Sequence, residues 1–125
     1  MSNFLWVFIG GGFGSCLRYS FSLFIPVKKG SFPLPTLIAN LISCLIIGLL
    51  IGFLSKMLIN DHQKLLLITG FCGGFSTFST FGAEIQGLLR LGNYSIATLY
   101  ILISVLVGVA LVFLGLAISG ALPSR

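Results

Sequence analysis

Apolar residues fall into four long blocks, at 4–25, 33–55, 65–89 and 95–119, and polar and charged residues gather in the short joints between them. Each block has the ~20 residues that an α-helix needs to cross a ~30 Å hydrocarbon layer. The pattern predicts an all-α membrane protein, four transmembrane helices forming a single domain over 1–125, because no joint is long enough to hold a soluble unit. Tyr19, Tyr94 and Tyr100 lie toward block ends, as interfacial aromatics often do, and Trp6 lies near the N-terminus. The opening Met1-Ser2-Asn3 carries no Lys or Arg, so the first block reads as a retained helix rather than a cleaved signal.

The third block breaks the pattern. Residues 70–84 read Gly-Phe-Cys-Gly-Gly-Phe-Ser-Thr-Phe-Ser-Thr-Phe-Gly-Ala-Glu. One or two hydroxyls in a membrane helix are explained by bonds back to the helix's own carbonyls. Ser76, Thr77, Ser79 and Thr80 beside Gly73-Gly74 are too many for that, and they predict a third helix broken near its centre. Broken backbone is tolerated at bilayer depth only when it is buried in protein or lines a cavity. Phe75, Phe78, Phe81 and Glu84 recur every three residues, a spacing that would align them along a 3₁₀ or broken geometry.

Composition supports the membrane assignment: 57% of residues are hydrophobic and 7% charged, against about 25% charged in soluble domains. Mean hydropathy is +1.15. The net charge of +5 does not signify nucleic acid, because Lys and Arg are scattered at 18, 28, 29, 56, 64, 90 and 125. With four crossings, Lys56, Lys64 and Arg125 share one side of the membrane, and Lys28, Lys29 and Arg90 share the other, joined by Arg18 if it is counted at the end of the first block. An excess of positive charge on one side sets orientation, and three against three or four is no usable excess. Insertion in both directions follows, and with it an antiparallel dual-topology homodimer. Gly10 with Gly14, Gly48 with Gly52, and Gly70 with Gly74 add three Gly-x-x-x-Gly pairs, which predict close helix packing and oligomerisation. Cys16, Cys44 and Cys72 sit singly within blocks as inert thiols, and His62 has no second ligand at metal spacing.

Few polar groups lie at bilayer depth. Arg18 costs roughly 2.5–3.5 kcal/mol there on insertion scales, and reads either as a functional group near a pore mouth or as a side chain snorkelling to the headgroups. Glu84 is the only carboxylate within a block; it needs a partner, for which Arg18 of the same or a neighbouring chain is a candidate, or else it couples protons. Asn40 offers an amide either to a site or to a helix interface, and Tyr100 and Ser104 share a face at i and i+4. Hydroxyls, an amide and the positive edges of phenylalanine rings suit a small, hard, desolvated anion. No nucleophile–base pair, paired carboxylates or phosphate loop is present, so the chain does not read as an enzyme.

Gly11-x-x-Gly14-x-x-x-Arg18, Thr36-x-x-x-Asn40 and the run from Gly70 through Phe81 to Glu84 resemble the Fluc/CrcB family of fluoride channels, in order and over three of the four helices. The resemblance implies passive export of cytoplasmic fluoride through two pathways in an inverted homodimer, in the cell membrane of a prokaryote, and hence fluoride resistance. It implies a structural Na⁺ at the dimer centre, held by the carbonyls of Gly73 and Ser76. It also implies a fluoride pathway lined by Asn40, Phe78, Ser79, Thr80, Phe81, Tyr100 and Ser104, with Arg18 at the vestibule. Ser76 stands where threonine is frequent in that family, Pro35 where glycine is common, and Ser43 where helix two often has glycine. The competing reading is a small dual-topology multidrug/proton antiporter. That class needs an acid in the first helix, where this chain has Arg18.

Overall fold

A computed structural model describes residues 2–121; Met1 and Arg125, both used above, lie outside them. Helix α1 runs Ser2–Phe24 and α2 runs Leu34–Ser55, with Pro35 in the first turn of α2, where its missing N–H has no intrahelical partner to lose. Three consecutive pieces, Asp61–Lys64, Leu65–Cys72 and Gly73–Phe75, continue one another as α3. After an extended Ser76 and Thr77, α4 spans Phe78–Arg90 and α5 spans Tyr94–Ile118. The described residues contain no strand. Three stretches are long and apolar enough to cross a membrane: α2, the α3–α4 pair at Asp61–Arg90, and α5. At 23 residues α1 has the length, but Arg18 and its glycine and serine content keep it less apolar.

Helix ends are closed by local chemistry. At the start of α3, Asn60 Oδ1 accepts from Gln63 N at 2.9 Å while Gln63 Oε1 accepts from Asn60 N at 3.0 Å, a reciprocal capping box. Helices α4 and α5 stop alike. Asn93 N reaches Leu88 O and Gly92 N reaches Leu89 O, while Ala121 N reaches Leu116 O and Gly120 N reaches Ala117 O. This arrangement requires a left-handed residue just past the helix, supplied by Gly92 (φ +73°) and Gly120 (φ +67°).

Three contacts assign the joints to ends. Lys56 Nζ donates to Ser119 O, and the Trp6 and His62 rings lie 5.6 Å apart, gathering the chain start, the 56–60 joint and the end of α5. Asn93 Nδ2 donates to Gly30 O at 2.8 Å, which brings the other two joints together. The grouping of Lys56 and Lys64 against Lys28, Lys29 and Arg90 therefore has a structural counterpart.

Packing pairs α1 with α3 and α2 with α5. Glycine makes both seams. A Cβ on Gly14 would overlap Phe71 O, one on Gly74 would overlap Gly11 O, and one on Gly10 would overlap Leu66 O. On the other seam Gly48 meets Val112 O, Gly52 meets Ser119 Oγ and Gly115 meets Leu45 O. All three Gly-x-x-x-Gly pairs thus serve contacts within one chain, and none is left to argue for a second copy. The stretch Leu65–Cys72 is wound as a π-helix, which the apolar sequence does not foretell. Facing α1 are Leu66, then Gly70 and Phe71, then Gly74 and Phe75, a spacing of four to five residues that suits the wider winding.

The apolar centre is small: Leu37, Phe81, Leu88, Ala97 and Tyr100, joining α2, α4 and α5. The chain exposes 7962 Å², against about 6,500 Å² for a compact soluble monomer of this mass. Leu99, Leu102, Leu106, Val109 and Phe113 of α5 stand outward, as a bilayer or a protein partner requires.

Candidate functional site

The break between α3 and α4 is built from side chains that replace helical hydrogen bonds. Ser76 (ψ 157°) and Thr77 (φ −153°) are extended, so Thr77 N turns away from Gly73 O, its acceptor in an unbroken helix. It donates instead to Asn40 Oδ1 at 2.8 Å, and Asn40 Nδ2 donates back to Thr77 O at 3.3 Å. The α2 side chain pairs with one residue's main chain as a neighbouring strand would. Thr77 then caps α4, its Oγ1 accepting from Thr80 N at 3.3 Å.

On the α3 side the carbonyls are served unequally. Cys72 O accepts from Ser76 N at 3.0 Å, Ser76 Oγ at 2.8 Å and Ser43 Oγ at 3.3 Å. Gly74 O accepts from Arg18 Nε at 3.2 Å and Ser15 Oγ at 3.4 Å. Between them Gly73 O has lost its helical donor to Asn40. Ser76 O is in a similar state, since Thr80 N is engaged by Thr77 Oγ1. Among the described residues no three of His, Cys, Asp and Glu converge on a point, so carbonyl oxygens are what this region offers a cation.

Two clefts flank the first turn of α4. The first, of about 240 Å³, is lined by Asn40, Cys44, Ser76, Thr77, Phe78, Phe81 and Ser104, with Val105. Phe78 and Phe81 have ring centroids 5.7 Å apart, and Phe78 is 84% exposed while Phe81 is 9% exposed. Ser104 Oγ is buried with no hydrogen-bond partner among the described residues. The second cleft, of about 270 Å³, has Arg18, Ser22, Thr36, Thr80 and Glu84 on its walls. Glu84 is held on both oxygens: Thr36 Oγ1 donates to Oε1 and Tyr100 OH to Oε2, each at 2.7 Å. Phe81 and Phe32 meet the Tyr100 ring edge-on, at 4.9 and 5.5 Å.

The predicted residues are therefore divided. Asn40, Phe78, Phe81 and Ser104 share the first cleft, and Thr80 lies with Arg18 and Glu84 in the second. Ser79 is exposed beside Thr77, 3.3 Å from its hydroxyl. Tyr100 is wholly buried and serves Glu84 rather than either cleft. Arg18 and Glu84 line the same cleft, yet no ion pair joins them among the described residues; each bonds neutral groups instead. The three-residue phenylalanine repeat does not form one stripe. Phe75 ends α3, fully buried against Phe21 and Phe71, and Phe78 and Phe81 begin a separate α-helix.

Sequence reasoning did not foresee the bonds of Ser15 and Ser43 to α3 carbonyls, the place of Cys44 on the first cleft, or the pairing and capping roles of Thr77 within the break it helped to mark. Only Thr77 carried a signal, as a Thr three residues before Thr80 at a helix start.

A family model described as CrcB-like protein, Camphor Resistance (CrcB), matches residues 5–116. A protein of Azobacteroides pseudotrichonymphae named fluoride-specific ion channel FluC is 46% identical over 109 residues, covering 86% of this chain and 87% of that one. One of Pyrococcus abyssi with the same name is 46% identical over 112 residues, covering 89% and 90%. A third, of Flavobacterium psychrophilum, is 40% identical over 121 residues, covering 95% and 98%.

Proposed function

The chain belongs to the CrcB family, and on that premise we propose that it is a fluoride-selective channel through which the anion leaves the cytoplasm passively, down its electrochemical gradient. The observation that carries the reading is the first cleft. Its wall combines an amide, hydroxyls, an unpartnered Ser104 Oγ and two phenylalanine rings, and no carboxylate. A dehydrated fluoride ion needs hydrogen-bond donors and positive ring edges, and is repelled by a free acid.

The remaining groups fit that task. Arg18 gives the second cleft a positive wall that concentrates anions. Glu84 shares the cleft, but both its oxygens already accept hydrogen bonds, which blunts its repulsion of an anion. The N-terminus of α4 lies between the clefts and adds the positive end of a 13-residue helix dipole. The antiporter reading gains nothing here, since α1 carries no acid and Glu84 is held by neutral donors.

The resident cation and the second copy belong to the same proposal. The donor set at the break fits Na⁺: Gly73 and Ser76 would hold it through their carbonyl oxygens, which suit a hard cation. Bound there, Na⁺ would supply positive charge beside the α3 terminus. Two carbonyls from one chain are too few ligands, and an inverted copy would bring two more. The evenly divided loop charges and the outward apolar face of α5 support an antiparallel homodimer in the cell membrane.

Purified protein reconstituted in liposomes tests this. Fluoride should leave rapidly without a proton gradient while chloride is retained, and the conducting particle should contain two chains. Drug-driven proton exchange, or no anion flux, would sink the channel reading. A conducting single chain would sink the paired-copy reading.

A further inference from the structure

We infer that Arg18, with Ser15, is a positioning residue that holds the break in the third helix open by clamping Gly74 O. Four observations meet at this carbonyl. Arg18 Nε donates to it at 3.2 Å and Ser15 Oγ at 3.4 Å, both from α1. A Cβ at Gly74 would overlap Gly11 O, so α1 also touches the same residue from its α-carbon side. Phe78 N, the donor to Gly74 O in an unbroken helix, begins α4 instead. The guanidinium therefore takes the place of a lost intrahelical bond.

Charge and direction both favour the clamp. The last turn of α3 presents unpaired carbonyls and the negative end of its dipole, where a cation is stabilising. On the neighbouring carbonyl, Cys72 O, Ser43 and Ser76 act likewise. With Cys72 O tied on one side and Gly74 O on the other, Gly73 O between them is kept from re-forming its bond to Thr77 N. Removing the tie at Gly74 lets α3 continue toward α4 and draws Thr77 away from Asn40. Arg18 thus acts through Gly74, apart from any attraction of its Nη groups for anions in the second cleft.

The two roles separate experimentally, because lysine keeps the charge but has no Nε–H and no rigid fork. Full-length Arg18→Lys, Arg18→Gln and Ser15→Ala are compared by hydrogen exchange over residues 76–81 and by fluoride efflux at low and high ionic strength. The clamp predicts that Lys and Gln behave alike, each changing exchange at Thr77 by about tenfold or more, as loss of a charged hydrogen bond implies. Efflux should fall in step at both ionic strengths, and Ser15→Ala should shift exchange in the same direction by less. Wild-type exchange in Arg18→Lys, with more than half the efflux retained, would overturn the inference, as would an unchanged Ser15→Ala should the arginine variants fail to fold. The efflux arm rests on the channel reading. A wild-type protein that moves no fluoride would defeat that reading alone, and the exchange comparison would still decide the clamp.

Discussion

Asn40→Ala removes both hydrogen bonds that pair α2 with Thr77, at 2.8 and 3.3 Å. The lower bound on the cost comes from side-chain bonds between membrane helices, which average about 0.6 kcal/mol each, or roughly 1 kcal/mol for two. The upper bound comes from the groups left behind. Thr77 is half-buried on a cleft wall, and an orphaned donor or acceptor shut away from water costs about 1–3 kcal/mol, hence at most roughly 2–6 kcal/mol together. The 3.3 Å bond is long and its acceptor has a second lone pair, so the loss should fall near 2–3 kcal/mol, roughly a 30-fold to 150-fold shift in the unfolding equilibrium. Asn40→Asp should lose less, because one oxygen still accepts from Thr77 N. The assay is reversible unfolding in mixed detergent micelles, followed by the single Trp6, with amide exchange at Thr77 read alongside. A loss under about 0.5 kcal/mol with unchanged exchange would refute the pairing. Loss of stability with slower exchange would instead mean that the helix has healed across the break.

Two further outcomes follow from geometry. Phe78→Ile should leave stability within about 0.5 kcal/mol because the ring is 84% exposed, yet slow fluoride efflux; Phe81→Ala, beside Tyr100 at 4.9 Å, should cost about 3–5 kcal/mol as well. Liposome efflux and micelle unfolding read the two effects, and normal conduction by Phe78→Ile and Phe81→Ile together would refute the ring-edge role. Gly14→Ala, which drives a methyl into Phe71 O, should destabilise by about 1–3 kcal/mol, whereas Gly12→Ala, with nothing within 4 Å, should be neutral or stabilising by up to about 1 kcal/mol; equal midpoints for the two would refute the α1–α3 seam.

Much of the fold was legible because a bilayer imposes coarse rules. Block length, the glycine pairs and the misplaced hydroxyls at 76–80 gave the helices and the break in the third. What stayed hidden depended on partners distant in sequence. Nothing in Leu65–Cys72 marks a π-helix; the winding answers to glycines of α1 some sixty residues earlier. Tyr100 and Ser104 are equivalent on a helical wheel. Only the carboxylate of Glu84 distinguishes them, drawing one hydroxyl into a buried bond and leaving the other unpartnered in a cleft. Glu84 and Arg18 looked like natural partners by charge, yet the bonds each makes go to neutral groups: Glu84 to Thr36 and Tyr100, and the Arg18 Nε to Gly74 O.

The Asn40–Thr77 pairing also bears on how the chain is made. Asn40 is synthesised 37 residues ahead of Thr77. When the third apolar block enters the membrane, the amide that will accommodate its defect already stands on α2, the preceding span. A nascent α3 can therefore break on arrival rather than insert as a continuous rod and be pulled apart later. The second helix serves as a template for the third, and the order of synthesis is part of what makes so polar a segment insertable.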